Sequence, residues 1–105
     1  MVQTESPTFT FLTNHARVLL CVADDPVVRL SAIGAQVGIT ERAAHRIVGE
    51  LEGSGYLTRR RNGRRNQYTV RAHLPVPDAL AIERRVGDLL RVLGNPGRAA
   101  RSPGS

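Results

Sequence analysis

The 105-residue sequence has no lysine and no tryptophan, one cysteine, and only two phenylalanines and two tyrosines. The single cysteine, Cys21, excludes an intramolecular disulfide, and we expect it to be a small buried apolar residue. No apolar run approaches the roughly eighteen residues of a membrane span, so we expect no transmembrane helix. The N-terminus lacks a basic segment followed by an apolar one, so we expect no secretory signal and a cytoplasmic location.

The sequence also lacks the residue patterns of catalytic and metal sites. No phosphate-binding glycine loop or metal-ligand spacing occurs, and His15, His45 and His73 fall on different predicted elements. We therefore expect no enzymatic activity, no cofactor and no metal.

The positive charge of the chain comes entirely from arginine. All fifteen cationic residues are arginines, the net charge is +6 and the pI is about 11.2. The planar guanidinium matches the geometry of phosphate and guanine, whereas lysine is a point charge. The composition therefore favours an anionic partner.

The segment from Ser31 to Leu51 predicts two short helices joined by a glycine turn. Ser31 is the predicted N-cap of the first helix. Gly34 has no side chain, which allows a second helix to cross closely, and Gly38 suits a left-handed residue after the helix end. Ile39 is then predicted to point into the core. This pattern is typical of a helix-turn-helix, although a plain helical hairpin has similar features.

The second of these helices is predicted to have one apolar and one basic face. Thr40 is its predicted N-cap, and Glu41 occupies the first position, where the helix dipole favours an anion. The apolar face has the helical spacing i, i+3, i+4, i+7 and contains Ala44, Ile47, Val48 and Leu51. The opposite face contains Arg42, His45, Arg46 and Gly49.

The stretch YLTRRRNGRRNQYTV, residues 56–70, predicts a β-hairpin with Asn62-Gly63 as a type I′ turn. This register places Arg61 opposite Arg64 and Arg60 opposite Arg65. It places Leu57 opposite Tyr68, and these two share an anchoring face with Val70. Because facing like charges destabilise a hairpin, this register favours a polyanionic partner over a solvated basic loop.

The first helix of the chain is predicted to begin after Thr13 or Asn14 and to end near Ala23. Its predicted apolar face contains Ala16, Leu19, Leu20 and Ala23. The segment Val27 to Leu30 is predicted to be a very short strand that leads into the helix-turn-helix.

The last predicted helix runs from about Ala79 to Leu93, with Asp78 as its N-cap, and has a heptad-like seam. Phe9 and Phe11 are predicted to pack on this helix or on a partner subunit. We expect a homodimer in which the interface contains Phe9, Phe11, Ala79, Ile82, Val86, Leu89, Leu90 and Leu93. The alternative is that the seam packs on the first helix of its own chain.

From Arg29 to Val70 the sequence RLSAIGAQVGITERAAHRIVGELEGSGYLTRRRNGRRNQYTV resembles bacterial winged helix-turn-helix transcriptional regulators of the MarR and ArsR type. The resemblance implies an α+β fold, with a three-helix core, a β-hairpin wing and a C-terminal dimerisation helix. It implies sequence-specific binding of double-stranded DNA, with the recognition helix in the major groove and the wing on phosphates or the minor groove. The implied DNA-binding residues are Thr40, Arg42, Ala43, His45, Arg46, Arg59, Arg60, Arg61, Asn62, Gly63, Arg64 and Arg65.

The sequence divides into four predicted regions. Residues 1–12 form an arm, residues 13–72 the winged helix-turn-helix, residues 73–94 a linker and C-terminal helix, and residues 95–105 a tail whose composition indicates disorder. Two other functions remain open, namely a winged-helix protein–protein interaction module and a nonspecific nucleic-acid-binding protein. The sequence indicates no operator and no small-molecule effector.

Overall fold

The computed structural model describes residues 9–94, which form an α+β arrangement compatible with a winged helix. Four helices and one two-stranded antiparallel hairpin occur in this part of the chain. In order, the elements are α1 (Asn14–Asp24), α2 (Leu30–Val37), α3 (Glu41–Gly53), β1 (Leu57–Asn62), β2 (Arg65–Val70) and α4 (Val86–Leu93). Most of the predicted arm, residues 1–8, and the predicted tail, residues 95–105, lie outside the described residues.

The core is formed mainly by aliphatic side chains of the first three helices, with contributions from the turn before α2, the base of the hairpin and the start of α4. No polar or charged side chain is buried in the described part of the chain. The buried residues are Val18, Leu19, Val22, Val28, Ile33, Val37, Ala44, Ile47, Val48, Leu51, Leu57, Tyr68 and Val86.

Helix α1 has the predicted cap but a different buried face. The Thr13 hydroxyl accepts a hydrogen bond from the Ala16 amide at 3.1 Å. Of the two predicted candidates, Thr13 and Asn14, the N-cap is therefore Thr13. The predicted face through Ala16, Leu19, Leu20 and Ala23 is wrong, because the buried residues are Val18, Leu19 and Val22. Both faces have helical spacing and share Leu19. The observed face buries Val18 and Val22, whereas Ala16 and Leu20 are half-buried and Ala23 is exposed.

Helices α2 and α3 form the predicted corner, although α2 begins earlier than predicted. Gly38 ends α2 in the left-handed region with φ +85°, as predicted. The predicted N-cap, Ser31, already lies inside the helix, whose N-cap is Arg29. The predicted strand from Val27 to Leu30 is also absent, because the Val28 amide donates to the Asp25 carbonyl at 3.0 Å and closes a turn.

The hairpin has a register shifted by two residues from the predicted one. Asn62 pairs with Arg65 and Arg61 with Asn66, so Gly63 and Arg64 form the turn. Gly63 has φ +66° and Arg64 does not have positive φ, which fits a type II′ turn and not the predicted type I′. A shift of two residues keeps each side chain on its face, and Leu57 and Tyr68 are buried as predicted.

The shifted register removes the predicted facing arginines. Arg60 lies opposite Gln67 and Arg59 opposite Tyr68, so no arginine is paired with an arginine in the ladder. Repulsion between facing charges therefore gives no support for a polyanionic partner. Any structural support for a polyanionic partner must come instead from where the arginines lie relative to α3.

The C-terminal helix is shorter than predicted, because α4 begins at Val86 and not near Ala79. Asp78 caps a local turn instead, since its carboxylate accepts from the Leu80 amide at 2.9 Å. Glu83 has φ +61°, which a continuous helix cannot contain. Backbone bonds from Val76 to the Arg84 carbonyl at 2.9 Å, and from Val86 to the Leu74 carbonyl at 2.8 Å, pair residues 74–76 with residues 84–86 and close a loop between them.

The predicted dimer seam is consequently not one helical face. Val86 is 2 % exposed in the core of its own chain, so its assignment to a partner interface is wrong in this conformation. Helix α4 packs against α1, as the alternative interpretation predicted. Phe9 and Phe11 contact each other, with ring centroids 5.9 Å apart, and both remain exposed instead of packing on α4.

The approach of α2 to α3 predicts that Gly34→Ala destabilises the fold. A Cβ at Gly34 would lie 2.7 Å from the Ile39 carbonyl oxygen, which is backbone and cannot move aside cheaply. We expect a loss of about 1–3 kcal/mol in the free energy of unfolding, measured by urea titration. The control is Gly49→Ala, because Gly49 is helical with nothing within 4 Å of its Cβ position. That change should stabilise by about 0.5–1 kcal/mol, and equal effects at both positions would contradict the close approach.

Candidate nucleic-acid interface

Helix α3 presents the predicted basic side chains to solvent. Arg42, His45 and Arg46 are exposed, and Ala43 is half-buried beside them. The Thr40 hydroxyl accepts a hydrogen bond from the Ala43 amide at 3.0 Å and so caps the helix as predicted. The predicted apolar face is buried in full, which leaves this basic face outward.

Three polar contacts attach the hairpin to the helical part of the molecule, one to α3 and two to the segment between α1 and α2. Arg59 Nε lies 3.1 Å from the Glu52 carboxylate near the end of α3. The Tyr68 amide donates to the Pro26 carbonyl at 2.8 Å, and Arg65 donates to the Val27 carbonyl at 3.2 Å. These bonds connect both strands to the helical part of the molecule, so the position of the hairpin relative to α3 is defined.

The exposed side chains of α3 lie at different angles from Glu52, the α3 residue that contacts the hairpin. Successive residues of a helix are about 100° apart, so Arg42 lies about 80° and Arg46 about 120° around α3 from Glu52. Arg42 is therefore nearer to the hairpin side of α3, whereas Arg46 lies towards Glu50, with which it pairs. We refer to the exposed residues of α3 from 40 to 46, together with hairpin residues 59–65, as the α3–hairpin face.

The predicted site residues on this face differ in whether they already have partners. Arg46 lies 3.1 Å from the Glu50 carboxylate and Arg59 lies 3.1 Å from the Glu52 carboxylate, so both have acidic partners. Arg61 donates to the Gly63 carbonyl at 3.0 Å. Within residues 9–94, the three site arginines that make no side-chain hydrogen bond or ion pair are Arg42, Arg60 and Arg64.

Glu50 connects the α3–hairpin face to α1 and was missed in the sequence. Its Oε1 lies 2.6 Å from His15 Nε2, and its Oε2 lies 3.1 Å from an Arg46 nitrogen. The hydrogen bond from His15, and then that from Arg46, hold the pKa of the Glu50 carboxyl below its usual value. The i, i+4 spacing to Arg46 was a usable signal, but no local pattern indicates His15, which is 35 residues away.

Cys21 is half-buried and its thiol donates to the Gln36 side-chain oxygen at 3.3 Å. Burial raises the pKa of this thiol, which keeps it protonated and poorly reactive at neutral pH. Over residues 9–94, no group of three His, Cys, Asp or Glu side chains is placed to hold a metal ion.

Comparison with models of known protein families and with curated proteins gives no match. Among residues 9–94, none of the helices combines the length and hydropathy that a membrane-spanning segment needs. The function must therefore be inferred from the chemistry and the arrangement of the α3–hairpin face.

The lowered pKa of Glu50 predicts a pH-dependent effect of Glu50→Gln. Because the pKa is lower in the folded state, the ionised carboxylate stabilises the fold above the ordinary value of 4.5. That contribution disappears as the pH falls through the lower, folded-state pKa. We expect the stability difference between the unmodified chain and Glu50→Gln to shrink as urea titrations are moved below pH 4.5.

The control for this measurement is Glu83→Gln. It changes the net charge by the same amount, but Glu83 has no ion pair in the described part of the chain. A difference for Glu50→Gln that persists undiminished into strong acid would show that the His15 and Arg46 contacts do not stabilise the fold.

Proposed function

We propose that this protein is a sequence-specific double-stranded DNA-binding transcriptional regulator of the winged helix-turn-helix type, similar to MarR and ArsR regulators. One observation carries the proposal. A capped helix with an exposed arginine- and histidine-bearing face lies beside an arginine-rich hairpin that three polar contacts attach to the helical core. Such a pair of elements matches a duplex, because a helix fits the major groove while a hairpin reaches the adjacent backbone.

In this proposal α3 is the recognition helix. Arg42 has no partner within residues 9–94, so it is available to donate two hydrogen bonds to a guanine without breaking an internal contact. Arg46 must exchange Glu50 for a base or a phosphate, which makes its contribution smaller and dependent on the sequence of the duplex. The N-terminus of α3 with Thr40 would hold a phosphate, and His45 and Ala43 would face the groove.

The hairpin is the proposed wing. Arg60 and Arg64 are exposed and unpaired within the described residues, so both are free to neutralise phosphates. Gly63 allows the backbone of the turn to approach the duplex closely, with Asn62 beside it. Arg59, Arg61 and Arg65 already bond within the chain and would contribute mainly long-range attraction.

We further propose that the protein acts as a cytoplasmic homodimer. Phe11 is 94 % exposed, Leu80 is 92 % exposed and Ile82 is 74 % exposed, and large apolar side chains left in solvent are candidates for burial against a partner. Phe9, Ala79, Leu89, Leu90 and Leu93 would complete the interface, whereas Val86 would not take part. A two-fold pair would place two recognition helices about 34 Å apart, one turn of the duplex.

The same exposed apolar side chains support a second candidate function, a winged-helix protein–protein interaction module. The two functions differ in their partner, so a test for duplex binding separates them. Selection of bound duplexes from a random pool at two salt concentrations should enrich a defined motif. Absence of any complex in a gel shift at low ionic strength would exclude the DNA-binding proposal and favour the interaction module.

We predict that Arg60→Ala and Arg64→Ala weaken binding to all duplexes by similar factors. Each substitution removes one proposed phosphate contact, so the slope of log affinity against log salt should fall in magnitude by about 1. Fluorescence anisotropy with a selected and a random duplex measures both quantities. The control is Arg84→Ala, an equal change in charge on the segment before α4, which should leave the slope nearly unchanged.

We predict that Arg42→Ala and Arg46→Ala change which duplexes are preferred. Loss of a bidentate arginine–guanine contact costs about 1–3 kcal/mol at the selected site and little on random DNA. Repeating the selection with each variant measures the change in motif. If either variant loses the same factor on selected and random duplexes, that arginine contacts phosphate and not a base.

A further inference from the structure

A cleft lies beside Glu50, away from Arg46 on the α3–hairpin face. It has a volume of about 640 Å³ and lies between α1, the C-terminal end of α3, residues 76–78 and α4. Its floor is apolar, with Leu19, Leu51 and Leu89 among the lining residues. Pockets of about 300–1,000 Å³ with an apolar lining and a few polar groups are the usual sites for small molecules.

The ionisable groups of this cleft have the opposite sign to the chain as a whole. Glu50, Asp78 and His15 line it, and no arginine does, although the chain has fifteen arginines and a net charge of +6. The Asp78 carboxylate bonds a backbone amide and has no ion pair within residues 9–94. An occupant that complements this lining is apolar over most of its surface and carries a positive charge at one end.

We propose that the cleft binds a small amphipathic cation, an amine or guanidine on an apolar body, whose charged group contacts the Glu50 carboxylate. Phe11 lines the cleft while remaining almost fully exposed, so it stands at the mouth. The volume of the cleft and its two carboxylates, Glu50 and Asp78, favour a small cation of this kind as the occupant. The binding site itself does not depend on the proposed DNA binding.

Occupancy of the cleft has a consequence for α3, and this step does rest on the proposed function. Glu50 shares its two oxygens between His15 in the cleft and Arg46 on the α3–hairpin face. A bound cation competes with Arg46 for the carboxylate and so releases the Arg46 guanidinium towards the duplex. The cation should therefore raise the affinity for DNA, and DNA should raise the affinity for the cation by the same factor.

The binding test uses three probes with the same apolar body and different charge, without DNA. These are 2-naphthylmethylamine, 2-naphthylmethanol and 2-naphthoate, titrated by calorimetry against the full chain. We expect the amine to bind about tenfold more tightly than the alcohol, and the carboxylate to bind most weakly. Equal affinities for the three probes, or tightest binding of the carboxylate, would overturn the proposal.

Two pairs of variants locate the binding. Glu50→Gln should abolish the preference for the amine, whereas Glu83→Gln, outside the cleft, should retain it. Leu89→Ala should weaken the binding of all three probes by a similar factor. Val92→Ala, on the exposed side of the same helix, should leave their binding unchanged. Retention of the amine preference in a folded Glu50→Gln chain would overturn the proposal. So would a Leu89→Ala chain that keeps full affinity while circular dichroism shows an intact fold.

Two further measurements separate the remaining outcomes. The first is a measurement of the mass of the protein in solution with and without the amine probe. If the probe dissociates a dimer but does not saturate one site per chain, the cleft is occupied by a second copy and the proposal is overturned. With a selected duplex present, the amine should raise DNA affinity about fivefold in the unmodified chain and not in Glu50→Gln. An unchanged DNA affinity would overturn the link through Arg46, while a chain that binds the amine and no duplex would overturn only the proposed DNA binding.

Discussion

The arrangement of the molecule depends on the close approach of α2 to the start of α3 at Gly34. The Cβ of any other residue would lie 2.7 Å from the Ile39 carbonyl oxygen, so the crossing exists only because this position has no side chain. Gly38 then turns the backbone in the left-handed region. Together these two glycines allow the tight corner between α2 and α3. In this corner α3 buries its aliphatic face and leaves Arg42 and its neighbours in solvent.

Features set by neighbouring residues could be predicted from the sequence. The caps at Thr13 and Thr40, the helix end at Gly38 and both faces of α3 follow from local hydrogen bonding and helical spacing. The face of α1 could not be decided in this way, because two sets of apolar residues share Leu19 and both have helical spacing. Only packing against the rest of the core selects between them.

Features set by distant residues could not be predicted. Asn62-Gly63-Arg64 is compatible with a turn at either of two positions, and the observed one has positive φ only at Gly63. The start of α4 is set by backbone bonds between residues 72–76 and 84–87, which no periodicity reveals. In the candidate site the arginines were correctly expected on the surface. Their partners Glu50 and Glu52 divide them into paired and unpaired groups, and that division follows from the folded contacts.

The two strands of the hairpin have unequal surroundings. β2 is bonded to β1 along one edge and to the Pro26 carbonyl through Tyr68 along the other, whereas the outer edge of β1 meets no further strand within residues 9–94. An open edge is a template on which another copy can add a strand, and a row of like charges opposes this. β1 carries three consecutive arginines at that edge. The charge of these arginines therefore opposes the addition of a strand from another copy at this edge.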